Sequence, residues 1–147
     1  MSGASALQSH STSNVASISQ KAALAALTGS QAPVQAMLDE YRHRRDQLFE
    51  WFSADPRFEC RKPAGAFYLF PRIADVLEPT GLRTSADFAQ ALLDDARVAL
   101  TAGEAFDAPG FLRISYATSM ERLREGTSGI LDFVKQRERQ GNATAAR

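Results

Sequence analysis

Few residues in this chain have both the type and the placement to do chemistry, and Arg113 is the foremost. It lies in Phe111-Leu112-Arg113-Ile114-Ser115-Tyr116-Ala117-Thr118-Ser119, a single cation in an otherwise apolar, strand-like run just before a helix start. Strand side chains alternate between two faces, so Leu112, Ile114 and Tyr116 share one and Phe111, Arg113 and Ser115 the other. The first face reads as core. On the second, the guanidinium must meet a carboxylate of the protein, a carboxylate ligand or water, and a structural pairing with an acid such as Glu104 is the plain alternative to a ligand. Cys60, in Phe58-Glu59-Cys60, has no histidine near it in sequence, and a buried free thiol is usually inert. His43 has no second His or Cys one helical turn away, so no metal site is expected. Its neighbours Arg42, Arg44 and Arg45 read as a solvated helix face.

The elements that must position these residues follow from periodicity and punctuation. Met1 to Asn14 is small and hydroxyl-rich, with little to bury, and Ser13 or Asn14 suits an N-cap. Val15 to Leu27 has apolar residues at helical spacing, with Gly29 placed to stop it; being Ala-rich, this helix can pack closely against a neighbour. A longer helix is expected from about Pro33 to Ser53, ending before Asp55-Pro56. Two strands are predicted at Phe58–Lys62 and Ala66–Phe70, divided by Pro63-Ala64-Gly65. The second mixes aromatic and apolar residues continuously, as a strand covered on both faces does. A third helix starts at Thr84 or Ser85, a short strand covers Val98–Thr101, Ala102–Phe106 reads as a loop, and the last helix begins near Ser119. From Gln140 to Arg147 nothing is available to pack, so the tail should fray. The economical architecture is α+β: a small mixed sheet with helices packed mainly on one side.

Composition narrows the function classes. The 147 residues suffice for one domain with a real core. Seventeen basic and seventeen acidic residues cancel, which argues against nucleic acid and anionic membranes as partners. No apolar run has the length of a membrane span, and one cysteine precludes an internal disulfide and fits a reducing compartment, so a cytoplasmic location is expected.

Four stretches occur in an order and at spacings that resemble a known family: Leu7-Gln8-Ser9-His10-Ser11-Thr12-Ser13-Asn14, Lys62-Pro63-Ala64-Gly65-Ala66-Phe67-Tyr68, Val98 through Phe106, and Arg113 through Ser119. Together they are similar to the C-terminal third of class I, aspartate-aminotransferase-like enzymes of pyridoxal-phosphate fold type I (α/β by family), which are homodimers. Ala102 departs from the pattern, standing where the family usually has proline before the glycine. The resemblance implies that Arg113 grips the α-carboxylate of the amino-acid or 2-oxo-acid substrate. The residue suits that task, because a planar guanidinium binds a carboxylate through two parallel charge-assisted hydrogen bonds. It implies too that the Pro63-Ala64-Gly65-Ala66-Phe67-Tyr68 segment approaches the active site, with Gly65 suited to a close passage of backbone, and that Phe67 and Tyr68 either line the substrate side or serve as aromatic core. Ser11 and Thr12 would lie at a subunit interface near the cofactor phosphate, although plain capping explains them equally well. Residues 1–30 would be a remnant of the cofactor-binding large domain, 31–54 a connecting helix, 55–138 the small C-terminal domain and 139–147 a disordered tail.

The resemblance also implies a gap. The family holds pyridoxal phosphate on a lysine in a Ser-Lys context shortly before Gly-Trp-Arg, whereas this chain has only Lys21, Lys62 and Lys135, none in that context, and its Trp51 sits between Glu50 and Phe52. The expectation is a chain with no catalytic residue of its own, which neither holds the cofactor covalently nor transaminates alone. It would be a truncated gene product, split-gene half or fragment whose partner is the missing large domain or a second subunit. The competing expectation is a non-catalytic protein-interaction module derived from an aminotransferase.

Overall fold

The computed structural model of the chain describes residues 2–145. The chain forms two compact units, residues 1–37 and 38–147.

The first unit is helical. Helix α1 (Ser2–Ser11) occupies the stretch whose composition suggested only caps and turns. It ends as the Thr12 and Ser13 N–H groups both donate to the Gln8 carbonyl, at 2.9 and 3.0 Å, with Ser13 in the left-handed region at φ 59°. Helix α2 (Ser17–Thr28) begins after Ala16 without a side-chain cap, so neither Ser13 nor Asn14 serves as its N-cap. The Gln20 amide instead reaches back to the Val15 carbonyl at 2.7 Å. Gly29 does end α2, donating to the Ala25 carbonyl at 2.9 Å, and a Cβ there would meet that oxygen at 2.6 Å. None of the residues of α2 is buried.

Helix α3 (Ala32–Ser53) leads into the second unit, where it buries Leu48 and Phe52. Beyond it Asp55 accepts from the Arg57 backbone at 3.1 Å and from its guanidinium at 2.8 and 2.5 Å. The same guanidinium reaches Glu138, 2.6 Å away on the final helix, tying the end of α3 to that helix.

The sheet has three short strands, β1 (Tyr68–Leu69), β2 (Thr101–Ala102) and β3 (Leu112–Ser115), in the order β1-β3-β2. Both pairings are antiparallel, with Tyr68 opposite Ser115, Leu69 opposite Ile114, Thr101 opposite Arg113 and Ala102 opposite Leu112. The expected strand at Phe58–Lys62 shrinks to one bridge, Glu59 to Arg72. Pro63 and Pro71 offer no N–H with which to extend it, and the short helix α4 (Ala74–Leu77) follows at once.

Helix α5 (Ser85–Ala96) opens with a capping box: the Thr84 hydroxyl accepts from the Asp87 N–H while the Asp87 carboxylate accepts from the Thr84 N–H. It closes on Arg97 in the left-handed conformation. Helix α6 (Met120–Ala145) starts with the Ser119 hydroxyl accepting from Arg122 N–H at 3.3 Å. It continues through Ala145 rather than fraying from Gln140, and at Gly141 it passes the Pro79 carbonyl so closely that a Cβ would lie 3.1 Å away. The last two residues of the expected tail lie outside the described residues.

Leu69, Leu112 and Ile114 on one sheet face join Leu48 and Phe52 of α3, Phe88 and Leu92 of α5, and Leu123, Ile130, Phe133 and Val134 of α6 in a single cluster. The other face has no helix in that cluster, and Tyr68, which projects from it, is half-buried. A slip of β3 by one residue would carry Arg113 into the core, where an unpaired charge costs several kcal/mol. The pattern of Leu112 and Ile114 therefore fixes which face Arg113 occupies.

Candidate functional site on the open sheet face

With the register set, Tyr68, Thr101, Arg113 and Ser115 all project from the face opposite the core. The half-buried Arg113 guanidinium contacts two rings, its carbon lying over Tyr68 at 4.5 Å from the centroid and over Phe106 at 4.6 Å. One of its amino groups, Nη2, donates to the Thr101 hydroxyl at 3.3 Å. Among the described residues Arg113 forms no ion pair. Glu104, the acid weighed as its structural partner, is engaged elsewhere: its carboxylate accepts the Ser85 N–H at 2.8 Å, at the first turn of α5 where a negative charge is favoured.

The turn between β2 and β3 delivers Phe106. A 3₁₀ helix, Gly103–Phe106, follows β2 directly. The Gly103 N–H donates to the Phe111 carbonyl at 2.8 Å, and the Ala108 N–H donates to the Gly103 carbonyl at 3.0 Å. Backbone is so close here that a Cβ on Gly103 would overlap the Ala108 carbonyl oxygen and approach that of Phe111 at 2.7 Å. Only glycine fits. The expected loop at Ala102–Phe106 is thus a tight helical turn. Phe106 in turn stands edge-on to Phe70 at 6.0 Å, and Phe70 stacks on Phe111 at 5.3 Å and 9°.

Of the residues singled out from sequence, Arg113 and Tyr68 come together. Phe67 is one ring removed, its centroid 4.4 Å from Tyr68 and 6.2 Å from Tyr41. The loop before it is pinned by the Tyr116 hydroxyl, which donates to the Ala66 carbonyl at 2.9 Å; burial raises the pKa of that phenol, keeping the donor proton in place. Gly65 was expected to permit a close approach, but a Cβ there would meet nothing within 4 Å; Ala66 takes the left-handed conformation instead, at φ 58°. Ser11 and Thr12 belong to the first unit and are exposed, the Thr12 hydroxyl donating to the Gln8 carbonyl at 3.3 Å. Phe106 and Thr101 were not anticipated. No periodicity links a loop aromatic to a strand cation, and Thr101 becomes a neighbour of Arg113 only through the strand register.

Two further groups are settled by their surroundings. Burial pushes the Cys60 thiol up to about 11, leaving little thiolate near neutrality. Lys62 holds an ion pair with Asp46 of α3, Nζ to carboxylate 2.9 Å, and Asp46 also accepts from Arg45 at 2.7 Å. Arg45 first and Lys62 second hold the Asp46 carboxyl at about 2.

An α+β unit with helices on one sheet face and a π-flanked arginine on the other is the class that fold and site define. The chain matches the family model for aminotransferase class I and II over residues 2–130. It is 44% identical over 131 residues to the aspartate aminotransferase of Geobacillus stearothermophilus, an alignment covering 89% of this chain and 33% of the relative. The crystal structure of the aspartate aminotransferase from Rhizobium meliloti superposes with a TM-score of 0.81 at 39% identity, over 88% of this chain and 34% of that one. The aromatic aminotransferase from Pyrococcus horikoshii gives 0.78 at 34% identity, over 90% and 35%. This chain belongs to the class I and II aminotransferases, is aspartate-aminotransferase-like, and spans about a third of the length of the relatives it matches. Among the described residues, no helix is long and apolar enough to cross a membrane.

Proposed function

We propose that this chain is the substrate-carboxylate-gripping portion of a pyridoxal-phosphate-dependent aminotransferase, corresponding to the family's small C-terminal domain preceded by part of the large one. Arg113 would bind the α-carboxylate of an amino acid or 2-oxo acid. The observation that carries this reading is a guanidinium projecting from the open sheet face, with no acidic partner among the described residues and with Glu104 engaged at the start of α5. By the Arg113 assignment, four of its five N–H bonds remain for a ligand, enough for a bidentate carboxylate.

The chain's own lysines fit the cofactor's Schiff-base role poorly. Lys62 is held by Asp46 and Lys135 lies 3.7 Å from Asp132 on α6, while Lys21 is exposed on α2. We assign none of the chemical steps to these residues, and the cofactor-holding lysine to the two thirds of the fold that they do not include. Ser11 and Thr12 would face a cofactor phosphate across a subunit interface. Alone, the arginine would bind feebly. An exposed arginine–carboxylate pair supplies about 0–1 kcal/mol, against the roughly 4 kcal/mol that a millimolar dissociation constant requires. The grip becomes strong only when a cleft closes around it.

The test mixes this chain with a separately expressed fragment of an aspartate aminotransferase that supplies the rest of the fold and its lysine. Transfer of the amino group from aspartate to 2-oxoglutarate should appear with the wild-type chain and fall by at least about tenfold with Arg113→Lys, which cannot make the bidentate contact. Equal recovery with Arg113→Ala refutes the carboxylate assignment. No recovery with any variant, from a chain that is folded and soluble on its own, would favour the interaction-module reading.

A further inference from the structure

We propose that Tyr68 and Phe106 are positioning residues that clamp Arg113 so that it accepts a planar carboxylate edge-on and discriminates against tetrahedral anions of the same charge. This rests on the carboxylate reading of Arg113 and adds to it how the grip is prepared and what it selects.

The geometry comes from two independent parts of the chain. Tyr68 lies on β1, beside β3, and covers the guanidinium with its centroid at 4.5 Å; Phe106 comes from the 3₁₀ turn and covers it at 4.6 Å. The Thr101 hydroxyl, from the strand on the other side of β3, holds Nη2. A guanidinium has two faces and an in-plane edge. Aromatic rings stack on its faces, and all five N–H bonds point outward within its plane. In the proposed clamp the two rings occupy these faces, and with one N–H donated to Thr101 approach in the guanidinium plane is what remains. A carboxylate is itself planar and pairs two oxygens with two parallel N–H bonds in that plane. A sulfonate or phosphonate carries its oxygens around a tetrahedron, so the oxygen outside the plane is directed toward a ring.

The clamp also bears on affinity. A free arginine is among the most flexible side chains, and ordering it at the moment of binding weakens affinity by about two- to tenfold. Here the order is already present. Phe106 packs edge-on against Phe70, which stacks on Phe111, and the crowded glycine at 103 fixes the turn that carries it. None of these contacts requires a ligand.

The experiment follows the Arg113 Nε–Hε resonance of the ¹⁵N-labelled full chain, assigned by its loss in Arg113→Lys, during titration with sodium acetate or sodium methanesulfonate at ionic strength held constant with chloride. The readout is the initial slope of the shift against concentration, which stays measurable for feeble binding. Acetate should move the resonance with a slope several times that of methanesulfonate. Phe106→Leu and Tyr68→Leu should each lower the acetate slope about two- to tenfold, and Tyr68→Phe, which keeps the ring, should retain it. Acetate, the more basic anion, is favoured by any guanidinium, so the clamp is read from the ratio of the acetate slope to the methanesulfonate slope. Phe106→Leu and Tyr68→Leu should lower that ratio and Tyr68→Phe retain it; a structural role alone would not change it. Should Tyr68→Leu disturb folding, Phe106→Leu carries the comparison, because Phe106 is 44% exposed and outside the core. If wild type responds to acetate and the Leu variants keep its slope ratio, or if methanesulfonate matches acetate, the clamp is overturned while the carboxylate reading stands. If the wild-type resonance ignores acetate altogether, the carboxylate reading falls and the clamp's selectivity falls with it.

Discussion

Replacing Gly103 by alanine is the sharpest perturbation of the fold that builds the site. The added Cβ would overlap the Ala108 carbonyl oxygen and lie 2.7 Å from that of Phe111. Neither obstacle is the end of a flexible side chain, so the backbone itself has to move. Two hydrogen bonds bracket the position, Gly103 N–H to Phe111 O and Ala108 N–H to Gly103 O. Losing both costs about 2 kcal/mol at a net value near 1 each, and the displaced backbone adds about 1–3 kcal/mol. A destabilisation of about 3–5 kcal/mol follows, a large share of the roughly 5–15 kcal/mol that holds a domain together. Urea unfolding read by the lone Trp51, which packs against the core, measures it directly. Gly126→Ala is the matched control. That glycine lies within α6 and its Cβ would meet nothing within 4 Å, so the substitution should stabilise by about 0.5–1 kcal/mol through helix propensity alone. If Gly103→Ala unfolds within about 1 kcal/mol of wild type while Gly126→Ala behaves as stated, the steric account of the turn is wrong.

Two other outcomes test the packing and the electrostatics. The Thr127 hydroxyl is buried without a hydrogen-bond partner among the described residues, beside a cavity of about 140 Å³ lined by Leu48, Ile114 and Ile130 among others; Thr127→Val should stabilise by about 1–2 kcal/mol in urea, and a loss of more than about 1 would show the hydroxyl is satisfied. Asp46, held at about 2 by Arg45 and Lys62, has a folded pKa below its ordinary value of 3.8. Its contribution is therefore fully present above about pH 5 and fades as pH falls toward 2. The stability difference between wild type and Asp46→Asn should shrink across that window, and a difference that is flat from pH 6 to pH 2 would contradict the ion-pair reading.

How much was legible beforehand depends on the range of the interaction that decides each feature. The helices at α2, α3, α5 and α6 follow from apolar spacing and local signals such as Thr84, Gly29 and Ser119, because helix hydrogen bonds and caps act within a few residues. Alternation in β3 placed Leu112 and Ile114 inside and Arg113 outside, since strand geometry has a period of two whatever the partner. The four stretches that resemble the aminotransferases were likewise plain in order and spacing, and the family likeness holds in the fold. The strand at Phe58–Lys62 was over-read because β-forming residues count for little without a neighbouring chain able to donate and accept. The α1 helix was missed because small hydroxyl residues are weak helix formers, and the extension of α6 was missed because Pro79 is distant in sequence.

The sequence by itself determined that a single arginine would stand on a non-core strand face in a chain of this family. Only the tertiary structure decided what surrounds that arginine. Tyr68, Thr101 and Phe106 come from three different segments and converge through antiparallel register and one glycine turn, whereas Glu104, close in sequence and opposite in charge, goes to Ser85 instead. Cation–π contacts and strand pairing reach across turns and between segments, and no local pattern encodes which neighbour arrives.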